Sequence, residues 1–82
     1  MILIIDDDSA VRSSLSFMLK RAGYEAQTVP GPREAMEVVR SVAPDLILMD
    51  MNFTLSTTGA AVCADIEGFA VFLYFLHDFL GT

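Results

Sequence analysis

Carboxylates follow two apolar segments of this chain. The first segment, residues 2–5 (ILII), is followed by Asp6, Asp7 and Asp8. The second segment, residues 46–49 (LILM), is followed by Asp50. Carboxylates that are crowded together repel one another unless a cation compensates their charge. A hard divalent ion such as Mg²⁺ takes oxygen ligands, usually one or two carboxylates together with water and phosphate oxygens. These acids therefore predict a Mg²⁺ site, provided that the fold brings the two segments together.

Hydrophobic periodicity predicts alternating strands and helices over the first fifty residues. The first helix has apolar residues at Val11, Leu15, Met18, Leu19 and Ala22, with spacings typical of an amphipathic helix. Asp8 is placed to cap its N-terminus, and Gly23 is placed to end it. A second apolar stripe, at Ala35, Val38, Val39 and Val42, ends before Pro44. The predicted elements are β1 at 2–5, α1 at 9–22, β2 at 24–29, α2 at 33–42, β3 at 45–50 and a loop at 51–59.

The order strand, helix, strand, helix, strand predicts the α/β class and a doubly wound parallel sheet. With the two helices on opposite faces, the strand order is 2-1-3, so the first and third strands are neighbours. Ligands of such sheets bind beyond the carboxyl ends of the strands, where the strand order reverses. Asp6, Asp7 and Asp50 are therefore expected to converge there, although they are far apart in sequence.

Three segments resemble the first half of a receiver domain of bacterial two-component response regulators. They are residues 2–12 (ILIIDDDSAVR), Gly23-Tyr24, and residues 44–51 (PDLILMDM). The resemblance covers residues 1 to about 59 and implies a flavodoxin-like (CheY-like) fold, here incomplete. The apolar and acidic tail, residues 60–82, does not match, and the resemblance leaves its structure open.

The resemblance also implies roles for individual residues. Asp50 is the implied phospho-acceptor, which takes a phosphoryl group from a sensor histidine kinase or a phosphotransfer protein. Asp7 and Asp50 are the implied carboxylate ligands of Mg²⁺, Asn52 contributes its backbone carbonyl, and Asp6 holds the ion through water. Such a module is a signalling domain rather than an enzyme, with at most self-phosphorylation and autodephosphorylation.

Two residues that complete a receiver site are missing from the pattern. The family has a Thr or Ser after its fourth strand and a Lys after its fifth, whereas residues 60–82 contain no Lys. Lys20 lies on the first predicted helix, and Thr54, Thr57 and Thr58 are interpreted as polar loop residues. No switch hydroxyl and no Lys are therefore assigned, and the phospho-acceptor function is expected to be impaired.

Two alternatives to a working receiver module follow from the same sequence. The abrupt change in composition suggests a truncated or frame-shifted remnant without function. An Asp-nucleophile phosphatase or phosphotransferase is the other alternative, but such enzymes generally carry Asp-x-Asp-x-(Thr/Val) after the first strand. Residues 6–10 (DDDSA) lack that signature.

Residues 59–80 are compatible with two structures. One is a short helix at 60–68 followed by a fourth strand at Phe69–Leu76, and the other is one continuous helix from Gly59 to Leu80. Phe69–Leu76 is apolar, uncharged and free of proline, which is the composition of a segment prone to self-association through an open sheet edge.

Charge and cysteine content exclude several classes of function. Eleven acidic and five basic residues give a net charge of −6, which disfavours binding to nucleic acid. Cys63 is the only cysteine, which excludes an internal disulfide framework and favours a reducing bacterial cytoplasm. The longest apolar run is far shorter than the roughly 20 residues that span a bilayer, so no membrane segment is predicted.

Overall fold

A computed structural model describes residues 1–50 and, for the backbone, residues 71–74. The elements are β1 (Ile2–Ile5), α1 (Ser9–Arg21), β2 (Ala26–Val29), α2 (Pro32–Val42), β3 (Leu46–Asp50) and β4 (Val71–Tyr74). Their sheet has the order β2-β1-β3-β4, and every neighbouring pair is parallel. The predicted α/β class and the order 2-1-3 are confirmed.

The two helices cover opposite faces of the sheet, as the strand order requires. α2 packs on Leu3 and Ile5, which are fully buried together with Ile47 of β3. α1 packs on the other face through Val11 and Leu15, against Ile4. Because successive side chains of a strand point to opposite faces, β1 supplies buried residues to both helices. This double burial explains why residues 2–5 are continuously apolar.

The way in which α1 ends shifts the start of β2 to a later residue than predicted. Gly23 has a positive φ of 96°, its N–H donates to Lys20 O, and Tyr24 N–H donates to Leu19 O. These two bonds form the Schellman motif that commonly ends a helix. They hold Tyr24 at the helix end, so β2 begins at Ala26, two residues after the predicted start at Tyr24.

The apolar stripe of α1 is shorter than its sequence pattern predicts. Val11 and Leu15 are buried and Leu19 is partly buried, whereas Met18 is 56% exposed and Ala22 is exposed. Leu19, near the end of the helix, still packs against the cluster, so burial follows the row Val11, Leu15 and Leu19, and Met18 lies beside this row. The last helical residue is Arg21, and Ala22 is the C-cap rather than a core residue.

The predicted boundaries of α2 and β3 each shift by one residue. α2 begins at Pro32 rather than at residue 33, because proline has a φ suited to the first helical position and needs no hydrogen bond there. It ends at Val42, and Ala43 takes a left-handed conformation with φ 52°. β3 begins at Leu46 rather than at Asp45.

The fourth strand decides between the two structures left open for the C-terminal segment. β4 pairs with β3 in parallel, with Ile47 opposite Val71 and Asp50 opposite Tyr74. The continuous helix from Gly59 to Leu80 is therefore wrong, and the strand alternative is correct over residues 71–74. The connection from β3 occupies residues 51–70, which satisfies the dozen or more residues that a parallel crossover needs. The predicted helix at 60–68 lies outside the described residues.

Candidate functional site

Three carboxylates meet at the carboxyl ends of β1 and β3. One carboxylate oxygen from each of Asp6, Asp7 and Asp50 lies within 4.8 Å of the other two. Asp6 directly follows β1, and Asp50 is the last residue of the neighbouring strand β3. Asp6 is fully buried, Asp50 is 5% exposed, and Asp7 is exposed. The cluster therefore has two acids in the protein interior and one at the surface.

The donor set of this cluster fits a hard divalent cation. All its ligand atoms are carboxylate oxygens, which Mg²⁺ prefers over nitrogen or sulfur. Formation of the sheet forces these negative charges close together, and a cation bound among them would offset their repulsion. The exposed side chain of Asp7 leaves the cluster open to solvent on one side.

Hydrogen bonds fix the loop that carries the first two acids. The N–H of Asp6 donates to Val29 O at 3.2 Å, which continues the β1–β2 ladder by one residue. The N–H of Asp8 donates to Asp6 Oδ1 at 2.8 Å. Asp7 thus lies between two residues whose positions are fixed by the sheet and by this turn.

Asp8 has a separate role as the N-cap of α1, as its position in the sequence predicts. Its Oδ1 accepts from Ala10 N at 2.9 Å and from Val11 N at 3.2 Å. Both donors belong to the first turn of the helix, whose N–H groups have no partner within the helix itself. The first two aspartates of the run therefore belong to the cluster, while the third caps the N-terminus of α1.

Arg12 contacts the same loop, although the sequence pattern predicts no role for it. Its Nη1 donates to the backbone carbonyl of Asp6 at 2.7 Å, and its own N–H donates to Asp8 O at 3.1 Å. The side chain is half-buried. The available signal is an arginine in the first turn of a helix that directly follows an acidic loop.

The opposite end of the same two strands carries a different acid. Asp45 accepts a hydrogen bond from the Met1 ammonium group, and the N–H of Asp45 donates to Met1 O at 2.9 Å. The hydrogen bond and the positive charge of that ammonium lower the pKa of the Asp45 carboxyl below its ordinary value. Asp45 is highly exposed and lies away from the cluster.

The remaining candidate residues lie outside the described part of the chain. They include Asn52, the implied carbonyl ligand, and the loop residues Thr54, Thr57 and Thr58. Cys63 and the rest of the tail before and after β4 lie there as well.

Comparison with known proteins places this arrangement in a family. The model of the response regulator receiver domain matches residues 2–72. The chain belongs to this family. The match continues past residue 59, where the resemblance seen in the sequence stops, and it ends at Phe72 within β4.

Curated relatives are longer proteins that this chain matches in part. It is 40% identical over 66 residues to the response regulator MprA of Mycolicibacterium vanbaalenii, covering 80% of this chain and 28% of that protein. It is 44% identical over 51 residues to a protein-glutamate methylesterase/protein-glutamine glutaminase of Anaeromyxobacter dehalogenans, covering 62% of this chain and 15% of that enzyme. The chain thus spans less than a third of the length of either relative.

Solved structures agree with the family assignment. The N-terminal domain of a response regulator/sensory box/GGDEF protein from Carboxydothermus hydrogenoformans superposes with a TM-score of 0.73 and 26% identity. That match covers 88% of this chain and 61% of the other. The N-terminal domain of a response regulator receiver protein from Methanoculleus marisnigri has the same fold, with a TM-score of 0.62 and 17% identity, and the match covers 96% of this chain and 87% of the other. Within residues 1–50 and 71–74, neither helix has the length and apolar character needed to cross a membrane.

Proposed function

We propose that this chain is a phospho-acceptor module in which Asp50 receives a phosphoryl group from a phosphohistidine of a sensor histidine kinase or phosphotransfer protein. The proposal is supported by the clustering of Asp6, Asp7 and Asp50 at the carboxyl ends of β1 and β3 in a chain of the receiver family. In this reaction a carboxylate oxygen of Asp50 bonds to phosphorus, the bond from phosphorus to the imidazole nitrogen breaks, and the electron pair stays on the imidazole.

The acids of the cluster divide into a nucleophile and cation ligands. Asp7 and Asp50 would hold Mg²⁺ through their carboxylates, Asn52 through its backbone carbonyl, and Asp6 through water. When bound, Mg²⁺ neutralises charge on the phosphoryl oxygens. Asp50 keeps a fixed position because it is the last residue of a buried strand, and a fixed nucleophile favours in-line attack.

Phosphorylation of this 82-residue chain is proposed to be slow. No Lys follows Asp50 in the sequence, and no residue is assigned as the switch Thr or Ser. Losing one charge-stabilising donor from a transition state typically lowers a rate by about 100- to 1,000-fold. A chain that accepts no phosphoryl group at all would instead support the alternative of a non-functional remnant.

The central experiment incubates the chain with acetyl phosphate and Mg²⁺ and counts the phosphoryl groups by intact-protein mass spectrometry. The wild type should acquire one group and Asp50→Asn none. Asp45→Asn is the matched control, because Asp45 is an exposed aspartate directly before β3, at the end of the strand opposite Asp50. Label that persists in Asp50→Asn would mean that the nucleophile is another residue.

A second measurement tests the cation. Asp7→Asn keeps the shape of the exposed ligand but removes its charge, so Mg²⁺ affinity should fall markedly relative to the wild type, while Asp45→Asn should bind as the wild type does. Equal affinities in the wild type and Asp7→Asn would exclude Asp7 as a ligand.

Partners and location are proposed on the same basis. The expected partner is a histidine kinase or phosphotransfer protein, and the net charge of −6 argues against direct contact with nucleic acid. A reducing bacterial cytoplasm suits a chain with one cysteine and an aspartyl phosphate chemistry. Signal transfer, rather than turnover of a substrate, is the proposed role.

Self-association is proposed through the β4 side of the sheet. Among the described strands β4 pairs only with β3, and the surrounding segment Phe69–Leu76 is uncharged. Such an edge favours pairing with a second copy. Sedimentation should detect oligomers at tens of micromolar protein, and a compact monomer at every concentration would contradict this.

A further inference from the structure

The carbonyl of Asp6 occupies a special position at the end of the β1–β2 ladder. In the observed register, even-numbered residues of β1 bond to β2, from Ile2 N–H donating to Glu25 O up to Asp6 N–H donating to Val29 O. A further ladder bond to the Asp6 carbonyl would need a donor beyond Val29. β2 ends at Val29, however, and the chain turns through Pro30 into α2.

The guanidinium of Arg12 supplies a donor at this position. Its Nη1 donates to Asp6 O at 2.7 Å, and the N–H of the same residue donates to Asp8 O at 3.1 Å. Arg12 therefore bonds to the acidic loop on both sides of Asp7. A hydrogen bond from a charged donor is shorter and about twice as strong as a neutral one.

The carbonyl held by Arg12 belongs to the peptide unit that joins Asp6 to Asp7. Rotation of this unit changes ψ of Asp6 and φ of Asp7 together, and so moves the Asp7 carboxylate relative to Asp50. The buried Asp6 side chain is separately held by the N–H of Asp8. The exposed Asp7 has no such burial to fix it, so its position depends on the orientation of this peptide unit.

We infer that Arg12 is a positioning residue for the cation site: its bond to the Asp6 carbonyl holds the Asp6–Asp7 peptide unit so that the Asp7 carboxylate stays beside Asp50. This inference rests on the proposed Mg²⁺ function. It extends the site to a residue of α1 that touches no ligand. Replacing a residue that orients a metal ligand typically lowers the metal affinity by about 10- to 100-fold.

A positioning role and a purely electrostatic role of Arg12 have opposite consequences. A positive charge close to the cluster repels Mg²⁺, so removing it would strengthen Mg²⁺ binding if charge alone mattered. Removing the bond that holds the peptide unit would weaken Mg²⁺ binding. The sign of the change in affinity therefore distinguishes the two roles.

The test compares Arg12→Met with Arg21→Met. Both variants lose one positive charge from α1, but Arg21 is exposed in the last turn, about 13 Å along the helix from Arg12. Mg²⁺ affinity is measured by following backbone amide NMR shifts during titration with MgCl₂. Amide hydrogen exchange at Asp8 is measured in the Mg²⁺-free proteins, and far-UV circular dichroism monitors folding.

Arg12→Met should bind Mg²⁺ about 10-fold more weakly than the wild type, while Arg21→Met should change little. Without Mg²⁺, Asp8 exchange should be about fivefold faster in Arg12→Met, as expected when one hydrogen bond of the loop is lost. Arg12→Lys, which keeps a charged donor, should recover part of both losses. If Arg12→Met does not fold, the neutral and better-matched Arg12→Gln is compared with Arg21→Met in the same way.

Wild-type or tighter Mg²⁺ affinity in the neutral Arg12 variant would overturn the positioning role. A wild type without saturable Mg²⁺ shifts would instead contradict the proposed cation function. In that case the Asp8 exchange rate still decides whether Arg12 holds the loop: an unchanged rate overturns the inference, and a faster one retains the structural contact without the metal.

Discussion

The two faces of the sheet are held by different kinds of interaction. Among the described residues, the α2 face buries a cluster that draws on β1, β2, β3 and the helix, including the fully buried Leu3 and Ile47. Within residues 1–50, the α1 face buries Ile4, Val11 and Leu15, with further apolar residues partly covered. Phe17, on the same helix, is 63% exposed.

Polar bonds at its N-terminus compensate for the weaker apolar packing of α1. Asp8 accepts from two N–H groups of the first turn, and Arg12 binds the Asp6 carbonyl. α2 has no side-chain hydrogen bond at its N-cap, Gly31. The helix nearer the acidic cluster is thus attached through residues of that cluster's own loop, whereas the other helix is attached through the core. Changes to the core should therefore affect stability first, and changes to the α1 N-terminus should affect the cation site.

The largest expected effect is on stability, and it compares one residue type on the two faces. Leu3→Ala removes a fully buried side chain from the larger cluster, and Leu15→Ala removes a 9% exposed one from the smaller cluster. Buried Leu→Ala changes cost about 2–5 kcal/mol, and the cost rises with the cavity that remains. We expect Leu3→Ala to lie near the upper limit and Leu15→Ala near the lower one, measured by urea unfolding.

Leu3→Ala alone would consume much of the roughly 4–12 kcal/mol expected for a domain of this size. Phe17→Ala is a control for loss of exposed apolar surface on α1 and should change the free energy of unfolding little. Equal losses in the free energy of unfolding of the two leucine variants would show that both faces of the sheet are equally well packed, which would contradict the proposed difference between them.

Sequence patterns predicted the parts of the fold that follow from burial and topology. The continuously apolar residues 2–5 and the alternation of strands and helices led to a parallel sheet of order 2-1-3, and this order by itself places the carboxyl ends of β1 and β3 together. The N-cap role of Asp8 follows from its position directly before the first helical residue. These features depend on the period of the pattern and on local chemistry, both of which are visible in the sequence.

Features that depend on tertiary geometry could not be predicted in this way. Met18 fits the helical stripe but is exposed, because burial on α1 follows the row Val11, Leu15 and Leu19, and Met18 lies beside this row. Arg12 resembles any solvated basic residue of a helix until the end of β2 at Val29 is known. The strand at 71–74 competed with a helix because a short aromatic and aliphatic segment suits either, and only pairing with β3 decides between them.

A smaller effect is expected from the N-cap of α1. Asp8→Ala removes the oxygen that accepts from Ala10 N and Val11 N, and should cost about 1 kcal/mol in the free energy of unfolding. The bond from the N–H of residue 8 to Asp6 Oδ1 is made by the backbone and can persist. Mg²⁺ affinity should therefore fall less in this variant than in Arg12→Met.

Asp8→Asn is the control for the cap, since its side-chain oxygen can accept the same two bonds, and its stability should be close to that of the wild type. A Mg²⁺ affinity that falls further in Asp8→Ala than in Arg12→Met would mean that the cap, and not the arginine, holds the acidic loop.

The smallest expected effect is a gain in stability at the start of α2. Gly31 has extended backbone angles, which suit an N-cap, and a Cβ at this position would meet Glu34 Oε2 at an ordinary contact distance of 3.4 Å. Gly31→Ser adds a hydroxyl three residues before Glu34, which creates the pattern of a capping box. We expect a gain of about 0.5 kcal/mol, because serine is slightly better than glycine as an N-cap and restricts the unfolded chain.

Gly31→Ala separates the two contributions to this gain, since it restricts the unfolded chain but adds no hydroxyl. Urea unfolding should rank Gly31→Ser above Gly31→Ala, and the difference between them measures the hydrogen bond of the cap. Equal stabilities would show that α2 gains nothing from a side-chain cap. Mg²⁺ affinity should be the same in both variants and the wild type, because α2 packs on the face of the sheet opposite α1, and α1 is the helix that begins directly after the Asp6–Asp8 loop. An altered affinity in Gly31→Ser would show that the two faces are coupled through the end of β2, where Val29 accepts the hydrogen bond from Asp6 N.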